Sequence, residues 1–290
     1  MTYVNRVRKT KEDLKIMELI SREKIMDLTR KNPFDRFPDG RPHVPDDITE
    51  RMKKVTTEEA WGVLQGHEYY FQFDGNWMNV HPERILVGRA VTCRYVPHRP
   101  DLNEVILEEG EAHGRIGGQN SWVIDTLVEG DVLVVELFGK IVRGTFIGDN
   151  LGTAVATRTG GTGIVIDGSV RDYQRVVQLP MNVFVRGLHP TGIGEVTLTE
   201  INGPIRIGEA TVLPGDVVLG TPTGLIFIPP HLAQEVVERS EGIRLRDYFG
   251  KMRIREGKYT PGEVDRKWSE EMEADFDGWR KTVNLEELSV

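Results

Sequence analysis

A chain of 290 residues with a formal charge of -8 can bury one sizeable hydrophobic core with appendages, or two small ones. That charge, without any tract of clustered Lys and Arg, argues against nucleic acid as the main partner, because phosphate binding is driven by such clusters. The single cysteine, Cys93 in an apolar run, excludes an internal disulfide and fits a reducing, cytoplasmic compartment; no apolar run approaches the roughly 20 residues a membrane helix needs, and the polar start MTYVNRVRKTKEDL lacks the apolar stretch of a secretion signal.

In chain order, Leu14, Met17, Ile20, Ile25 and Leu28 recur near helical spacing and predict a helix within residues 1–30. Residues 31–50 hold four prolines and predict an extended tether running over a surface. Thr56, with Thr57, Glu58 and Glu59 close behind, predicts the start of a second helix. From Ile85 to Ile228 short Val/Ile-rich runs alternate with Gly-rich turns, and helical runs at Ser121–Leu127 and Leu151–Thr157 interrupt them, the pattern of a mixed α/β domain. After Pro229-Pro230, helical spacing returns from His231 to Ser240, and residues 241–290 are charged and carry Trp268 and Trp279. The expected organisation is an N-terminal helical arm and proline-rich tether (1–55), an α/β domain (56–240) and a C-terminal helical tail (241–290). Such arms suit contact between subunits, so a homo-oligomer is expected; the alternative is that both fold back on their own core.

The chemistry concentrates in residues 144–178, GTFIGDNLGTAVATRTGGTGIVIDGSVRDYQRVVQ. Gly163 to Val170 has the β-branched density of a buried strand, so Arg171 and Asp172 should emerge at its end, where α/β proteins place ligands. An Arg there offers a planar fork to a carboxylate, and the Asp an oxygen ligand to a hard divalent cation. An isolated Arg-Asp pair is equally an ion pair that ties a loop down. The segment 111–122, EAHGRIGGQNSW, surrounds a Gly-rich turn with His113, Arg115, Gln119 and Asn120 and is the candidate for the substrate pocket, or else a plain tight turn. It lacks the Walker Lys-Ser/Thr and the preceding strand that a nucleotide fingerprint requires. His189 reads as a loop histidine or an accessory base, and His67, His81, His98 and His113 lack metal-ligand spacing. Tyr69, Tyr70, Phe71, Phe73 and Trp77 read as packing or interface.

Beyond these separate signals, the segments together resemble the RraA-like superfamily, which includes the 4-hydroxy-4-methyl-2-oxoglutarate aldolases. The resemblance rests on Gly148-Asp149-Asn150-Leu151 opening a small-residue helix, a Gly-rich turn, and the strand and pair Gly163 to Asp172. Ile85 to Thr92, Glu129 to Glu136, Asn182 to Arg186 and Leu213 to Val218 look like the family's flanking strands, so the likeness covers residues 56–240. It implies an α/β/β/α layered, swivelling-domain-like fold, assembled as a trimer or stacked into a hexamer, with sites between neighbouring subunits. It also implies that Asp172 ligates Mg²⁺ or Mn²⁺, partly through water, and that Arg171 holds a 2-oxo acid. The backbone N–H groups after Gly148, those of Asn150 and Leu151, would face the substrate carboxylate, as helix N-termini favour anions. Asp149 would position a water or carry a proton; separately, the residues of the 111–122 segment offer Arg115 as a further substrate contact. Breaking a carbon–carbon bond next to a 2-oxo acid leaves an enolate that a metal stabilises, so one site serves both retro-aldol cleavage and oxaloacetate decarboxylation.

Departures from the family pattern bear on the substrate. From Asp149 to Arg171 is 171 − 149 = 22 positions, about one more than usual, which the turn Thr159-Gly160-Gly161-Thr162-Gly163 can absorb. Family aldolases commonly carry an acid where Gln174 stands, and their late DxxGVvviP pattern is replaced by Gly220-Thr221-Pro222-Thr223-Gly224-Leu225. The expected function is a metal-dependent lyase on a 2-oxo acid. The alternatives are a hydratase or isomerase of sugar-acid derivatives on the same scaffold, or a protein-binding regulator of a ribonuclease.

Overall fold

The computed structural model describes residues 20–282. The predicted helix positions Leu14 and Met17 lie outside the described residues. Three helices come first, α1 (Arg22–Leu28), α2 (Asp46–Met52) and α3 (Thr57–Gly66), followed by short strands β1 (Phe73–Asp74) and β2 (Met78–Asn79) and the long β3 (Leu86–Pro97). Next come α4 (Pro100–Ala112), α5 (Gln119–Ile124), β4 (Asp131–Glu136), β5 (Thr145–Ile147), α6 (Asp149–Arg158), β6 (Gly163–Val170), α7 (Tyr173–Val176) and β7 (Asn182–Leu188). The chain closes with β8 (Val196–Ile201), β9 (Ile205–Ile207), β10 (Ala210–Val212), β11 (Val217–Thr221), β12 (Gly224–Ile228), α8 (Pro230–Arg255), α9 (Pro261–Val264) and α10 (Glu270–Arg280).

Among the described residues one mixed sheet runs in the order β1-β12-β11-β3-β4-β6-β7-β2, with β5 beside β6 and β8 beside β3. β3, β4, β6 and β7 are parallel neighbours, and β5 is parallel to β6, whereas β11 and β12 join antiparallel. The buried parallel strands are continuous Val/Ile runs because both their faces are covered. Leu133, Val135, Ile164 and Ile166 pack on one face with Trp122, Val123 and Val155 of α5 and α6. Val132, Val134, Val165 and Phe184 pack on the other with Val218 and Phe227 of β11 and β12 and with Ile205 and Ile207 of β9. The sheet therefore folds over itself, and the outer face of its antiparallel half, through Val217, Leu219, Ile226 and Ile228, carries α2, α3 and α8. This is the mixed, layered α/β fold that the strand pattern implies.

Local signals account for the helix starts. Thr56 accepts from the Glu59 N–H while the Glu59 carboxylate accepts from the Thr56 N–H, a reciprocal cap that satisfies two otherwise orphan donors. The helix α4 has no counterpart in the expected elements. Its start carries no side-chain cap and is marked by Pro100 in the first turn, and its Glu-rich body shows a weak apolar stripe. The boundary at residue 240 falls inside α8, which continues unbroken to Arg255. Beyond it Phe249, Met272 and Phe276 form a small core flanked by Trp268 and Trp279, so the tail's aromatics pack on one another. No helix among the described residues is long and apolar enough to cross a membrane.

The proline-rich segment corrects the expectation of a surface tether. Arg41, Pro42 and Val44 are buried, and the Arg41 guanidinium donates to both Asp131 oxygens at 2.8 and 3.3 Å and to Asp39 at 2.7 Å. Burial works against the Arg41 charge, yet the facing Asp131 and Asp39 carboxylates outweigh it and raise its pKa. The segment doubles back at Pro38-Asp39-Gly40, with Arg36 bridged to Pro42, and a buried ion pair at the foot of β4 fixes where it lies. Removing one partner of such a pair leaves a buried charge unmatched, so Arg41→Ala is expected to destabilise the fold by about 3–5 kcal/mol, read as a lower urea midpoint at pH 7.

Candidate functional site

The strand β6 ends at Val170 and delivers Arg171 and Asp172 onto the start of α6. A short parallel pairing and a hydrogen bond make this juxtaposition: Ile147 of β5 lies beside Val170, and the Arg171 N–H donates to the Ile147 carbonyl at 3.2 Å. Gly148 follows immediately as the residue capping α6, and a Cβ there would stand 2.4 Å from Asp172 Oδ2 and 3.0 Å from Arg171 Nε. Only a residue without a side chain allows that approach. Asp172 itself turns the chain with a left-handed backbone (φ 53°), a conformation aspartate tolerates better than most residues, and its carbonyl accepts from the Arg175 and Val176 N–H groups of α7. Arg171 Nε lies 3.5 Å from Asp172 Oδ2, and both side chains are about half exposed.

A cavity of about 240 Å³ opens in front of this group, lined by Gly148, Asp149, Asn150 and Leu151 of the α6 N-terminus, by Arg171, and by Asn120, Gly192 and Ile193. A second hollow of about 210 Å³ shares Arg171 and adds Asp172, Gln174 and His189. Arg171 stands between the two. The Asn120 side chain donates to the Phe146 carbonyl at 2.8 Å, which ties α5 to β5 beneath the cavity.

Two features depart from the expected roles. The Asn150 N–H donates to Asp149 Oδ1 at 3.0 Å, so of the two donors expected to face a carboxylate this one is already engaged. Leu151 is the next residue of the same first turn, whose N–H groups have no intrahelical partners. Arg115 is absent from the cavity's lining. The turn after α4, closed by the Arg115 N–H on the Gly110 carbonyl, directs its side chain to the Trp122 carbonyl at 3.4 Å. Of the 111–122 segment, Asn120 reaches the cavity, whereas Gln119 bridges Asn103 and Leu198 and His113 bonds the Glu109 carbonyl. His189 Nδ1 accepts from the Thr191 N–H at 3.3 Å, a local loop contact.

Arg175 is the site residue that sequence reasoning missed. It donates to Asp149 Oδ2 at 2.7 Å, and this bond is the first cause holding the Asp149 carboxyl below the usual aspartate range. Asp149 in turn raises the Arg175 pKa, with a smaller contribution from Asp172, so both carboxylates face one guanidinium. The available signal was its place in the short helix that Asp172 opens. Among the described residues no three His, Cys, Asp or Glu side chains cluster as a protein-only metal cage. An exposed Asp172, with Asp149 ionised nearby, fits instead a hard divalent cation that keeps its waters and takes further ligands from a substrate.

Comparison with known proteins bears on the fold and the family. Residues 58–227 match the family described as RraA-like, Aldolase/RraA, and the chain belongs to that family. A 4-hydroxy-4-methyl-2-oxoglutarate aldolase of Thermus thermophilus is 29% identical over 144 residues, which is 50% of this chain and 76% of that one. An uncharacterised protein of Methanocaldococcus jannaschii is 28% identical over 194 residues, 60% of this chain and 93% of its own length, whereas the match to Protein DlpA of Legionella pneumophila spans 26% of that protein. The crystal structure of Streptomyces coelicolor RraAS2, an unusual member of the RNase ES inhibitor RraA protein family, superposes with a TM-score of 0.60 over 73% of this chain and 100% of that one. At 24% identity that likeness is one of fold.

The Asp149–Arg175 pair has a measurable consequence. Because the folded-state pKa of Asp149 is depressed, the pair's contribution is present at neutral pH and is lost as pH falls through the depressed value. In Arg175→Ala the carboxyl titration of Asp149, followed by NMR, is expected to move up toward the ordinary aspartate value. An unmoved midpoint would show that the pair does not form in solution.

Proposed function

We propose that this chain is a divalent-metal-dependent carbon–carbon lyase that cleaves a 2-oxo acid and releases pyruvate, by retro-aldol cleavage, by decarboxylation of oxaloacetate, or both. Membership of the Aldolase/RraA family and the relative named as an aldolase support the class. The observation that carries the reading is the packing of Arg171 and Asp172 against Gly148 at the head of α6, beside a cavity of small-molecule size.

In this reading the Arg171 fork receives the substrate carboxylate, assisted by the positive end of α6 at Leu151. Asp172 holds Mg²⁺ or Mn²⁺. When bound, that ion supplies Lewis-acid stabilisation of the negative charge that cleavage leaves on the 2-oxo oxygen. Asp149 accepts a hydrogen bond from a water and fixes its position; with its pKa held down by Arg175 it is a weak base and a good acceptor. Gly148 keeps the floor of the site at backbone level, so that Arg171 and Asp172 approach one substrate from the same side. Gln174, in the hollow shared with Arg171, stands where family aldolases carry an acid and sets this chain's preference for the far end of the substrate apart from theirs. The late segment Thr221–Gly224 is the turn between β11 and β12, with Thr221 bonded to Thr57 of α3 at 2.7 Å, so its missing acid lies in a structural turn.

The test is pyruvate release from oxaloacetate and from 4-hydroxy-2-oxo acids with Mg²⁺ or Mn²⁺, then with EDTA. Release that EDTA abolishes is expected; no release from any of them favours a hydratase, an isomerase or a binding role. Asp172→Asn, which tolerates the left-handed backbone as aspartate does, should abolish the metal-dependent turnover while leaving the unfolding midpoint almost unchanged, since an exposed loop carboxylate adds little to the core. Arg171→Lys should lower kcat/KM by about 10- to 100-fold, the worth of one charge-assisted bond of a fork that a point charge cannot reproduce.

A further inference from the structure

The chain builds the same turn twice, on either side of β3, and completes its electrostatics only once. At Val128-Glu129-Gly130-Asp131 the Val128 N–H donates to Asp131 Oδ2 at 2.9 Å and Gly130 turns the chain at φ 79°. At Leu213-Pro214-Gly215-Asp216 the Leu213 N–H donates to Asp216 Oδ2 at 2.8 Å and Gly215 does the same at φ 86°. Each aspartate is buried, Asp131 at 0% and Asp216 at 2% exposure. Asp131 receives the guanidinium of Arg41 on both oxygens. Among the described residues Asp216 receives no cation. The nearest candidate in sequence register, Arg89 of β3, is committed elsewhere, to the Val44 carbonyl and the Asp46 carboxylate.

What Asp216 faces is a cavity of about 300 Å³ that shares no lining residue with the hollows around Arg171. Tyr69 and His231 form one wall, their OH and Nε2 3.3 Å apart, and the exposed Arg30 and Lys31 stand in its lining. A buried carboxylate beside an open space, with cationic side chains toward solvent, is complementary to a molecule that carries charges of both signs. We propose that this cavity binds an amino-acid-sized zwitterion, whose side-chain guanidinium group takes at Asp216 the place Arg41 takes at Asp131, and whose carboxylate lies toward Arg30 and Lys31.

Burial raises the Asp216 pKa to about 8, so at pH 7 the carboxyl is largely neutral until a cation arrives. The other titratable groups facing it are Tyr69, whose pKa rises through burial and the Asp216 charge, and His231, whose pKa falls through burial and the charge of Lys31; both are uncharged near pH 7. Binding a cation therefore releases a proton, and affinity should rise with pH, by up to about tenfold per unit, until the pH passes the Asp216 value.

The probes are L-arginine, agmatine, which lacks the carboxylate, and L-citrulline, in which a neutral urea replaces the guanidinium, each titrated calorimetrically into the whole protein at pH 7 in buffers of different ionisation enthalpy. Expected are saturable binding of L-arginine with close to one proton released, weaker binding of agmatine, no binding of L-citrulline, and loss of arginine binding in Asp216→Asn. An amide keeps the acceptor for the Leu213 N–H and removes the charge. Since the raised pKa costs stability progressively from the ordinary aspartate value up to about 8 and in full above it, Asp216→Asn should unfold at a higher urea concentration than the parent at pH 9, which also shows that it folds. Equal binding of L-citrulline, unchanged arginine binding in Asp216→Asn, or no heat from L-arginine at either pH 7 or pH 8 would each overturn the proposal. Agmatine binding as tightly as L-arginine would overturn the part assigned to Arg30 and Lys31, and the double variant Arg30→Ser/Lys31→Ser checks it independently.

Discussion

The short parallel pairing of β5 with the end of β6 governs the candidate site. By placing Ile147 beside Val170 it brings the next residues of two distant segments, Gly148 and Arg171, into contact, and the missing side chain at Gly148 lets Asp172 close against the α6 backbone. A side chain at position 148 would occupy the space in which the Arg171 and Asp172 side chains meet. The charges are then organised around that point. Arg175 holds Asp149 ionised from the outer side, and the α6 N-terminus faces the cavity at Leu151, the Asn150 N–H being engaged by Asp149.

Beneath the site, the sheet reaches its layered form through burial on both faces of β4 and β6. Parallel strands covered on both sides have no polar face to orient them, so their positions depend on what anchors their ends. At the foot of β4 that anchor is the Arg41–Asp131 pair, supplied by a segment ninety positions earlier in the chain. At the foot of β11 the same turn presents Asp216 with no such partner among the described residues, and a structural motif becomes a recognition surface by the omission of one side chain.

Much of the site was legible in the sequence because its chemistry is local. Gly148 to Leu151 and Gly163 to Asp172 each lie in one continuous stretch, and a β-branched run that stops before Arg-Asp announces both the strand and what emerges from it. Contacts across the fold were not legible. Arg175 meets Asp149 over 26 positions and Arg41 meets Asp131 over 90, and nothing in the neighbourhood of either arginine marks its partner. The prolines of 31–45 keep that stretch out of helix, but proline fixes backbone angles and says nothing of burial or of the hairpin that bridges Arg36 to Pro42, so the buried residues Arg41, Pro42 and Val44 read as part of a surface tether. α4 escaped because its Glu-rich sequence leaves only Ile106 and Gly110 buried, too sparse a stripe for periodicity to register. Arg115 looked available beside its glycines, yet the turn that follows α4 points it at a helix carbonyl instead.

The central claim is that the end of β6 presents one carboxylate, Asp172, to a divalent ion that also engages a 2-oxo acid. Electron paramagnetic resonance of Mn²⁺ tests it without assuming a particular substrate: the free-ion signal is followed as protein is added, alone and with oxalate as a planar dicarboxylate that chelates in the manner of a 2-oxo acid. The account predicts that the wild-type protein depletes the free signal, more strongly with oxalate, and that Asp172→Asn loses both effects while remaining folded. Equal depletion by Asp172→Asn, or none by the wild type in the presence of oxalate, would contradict it.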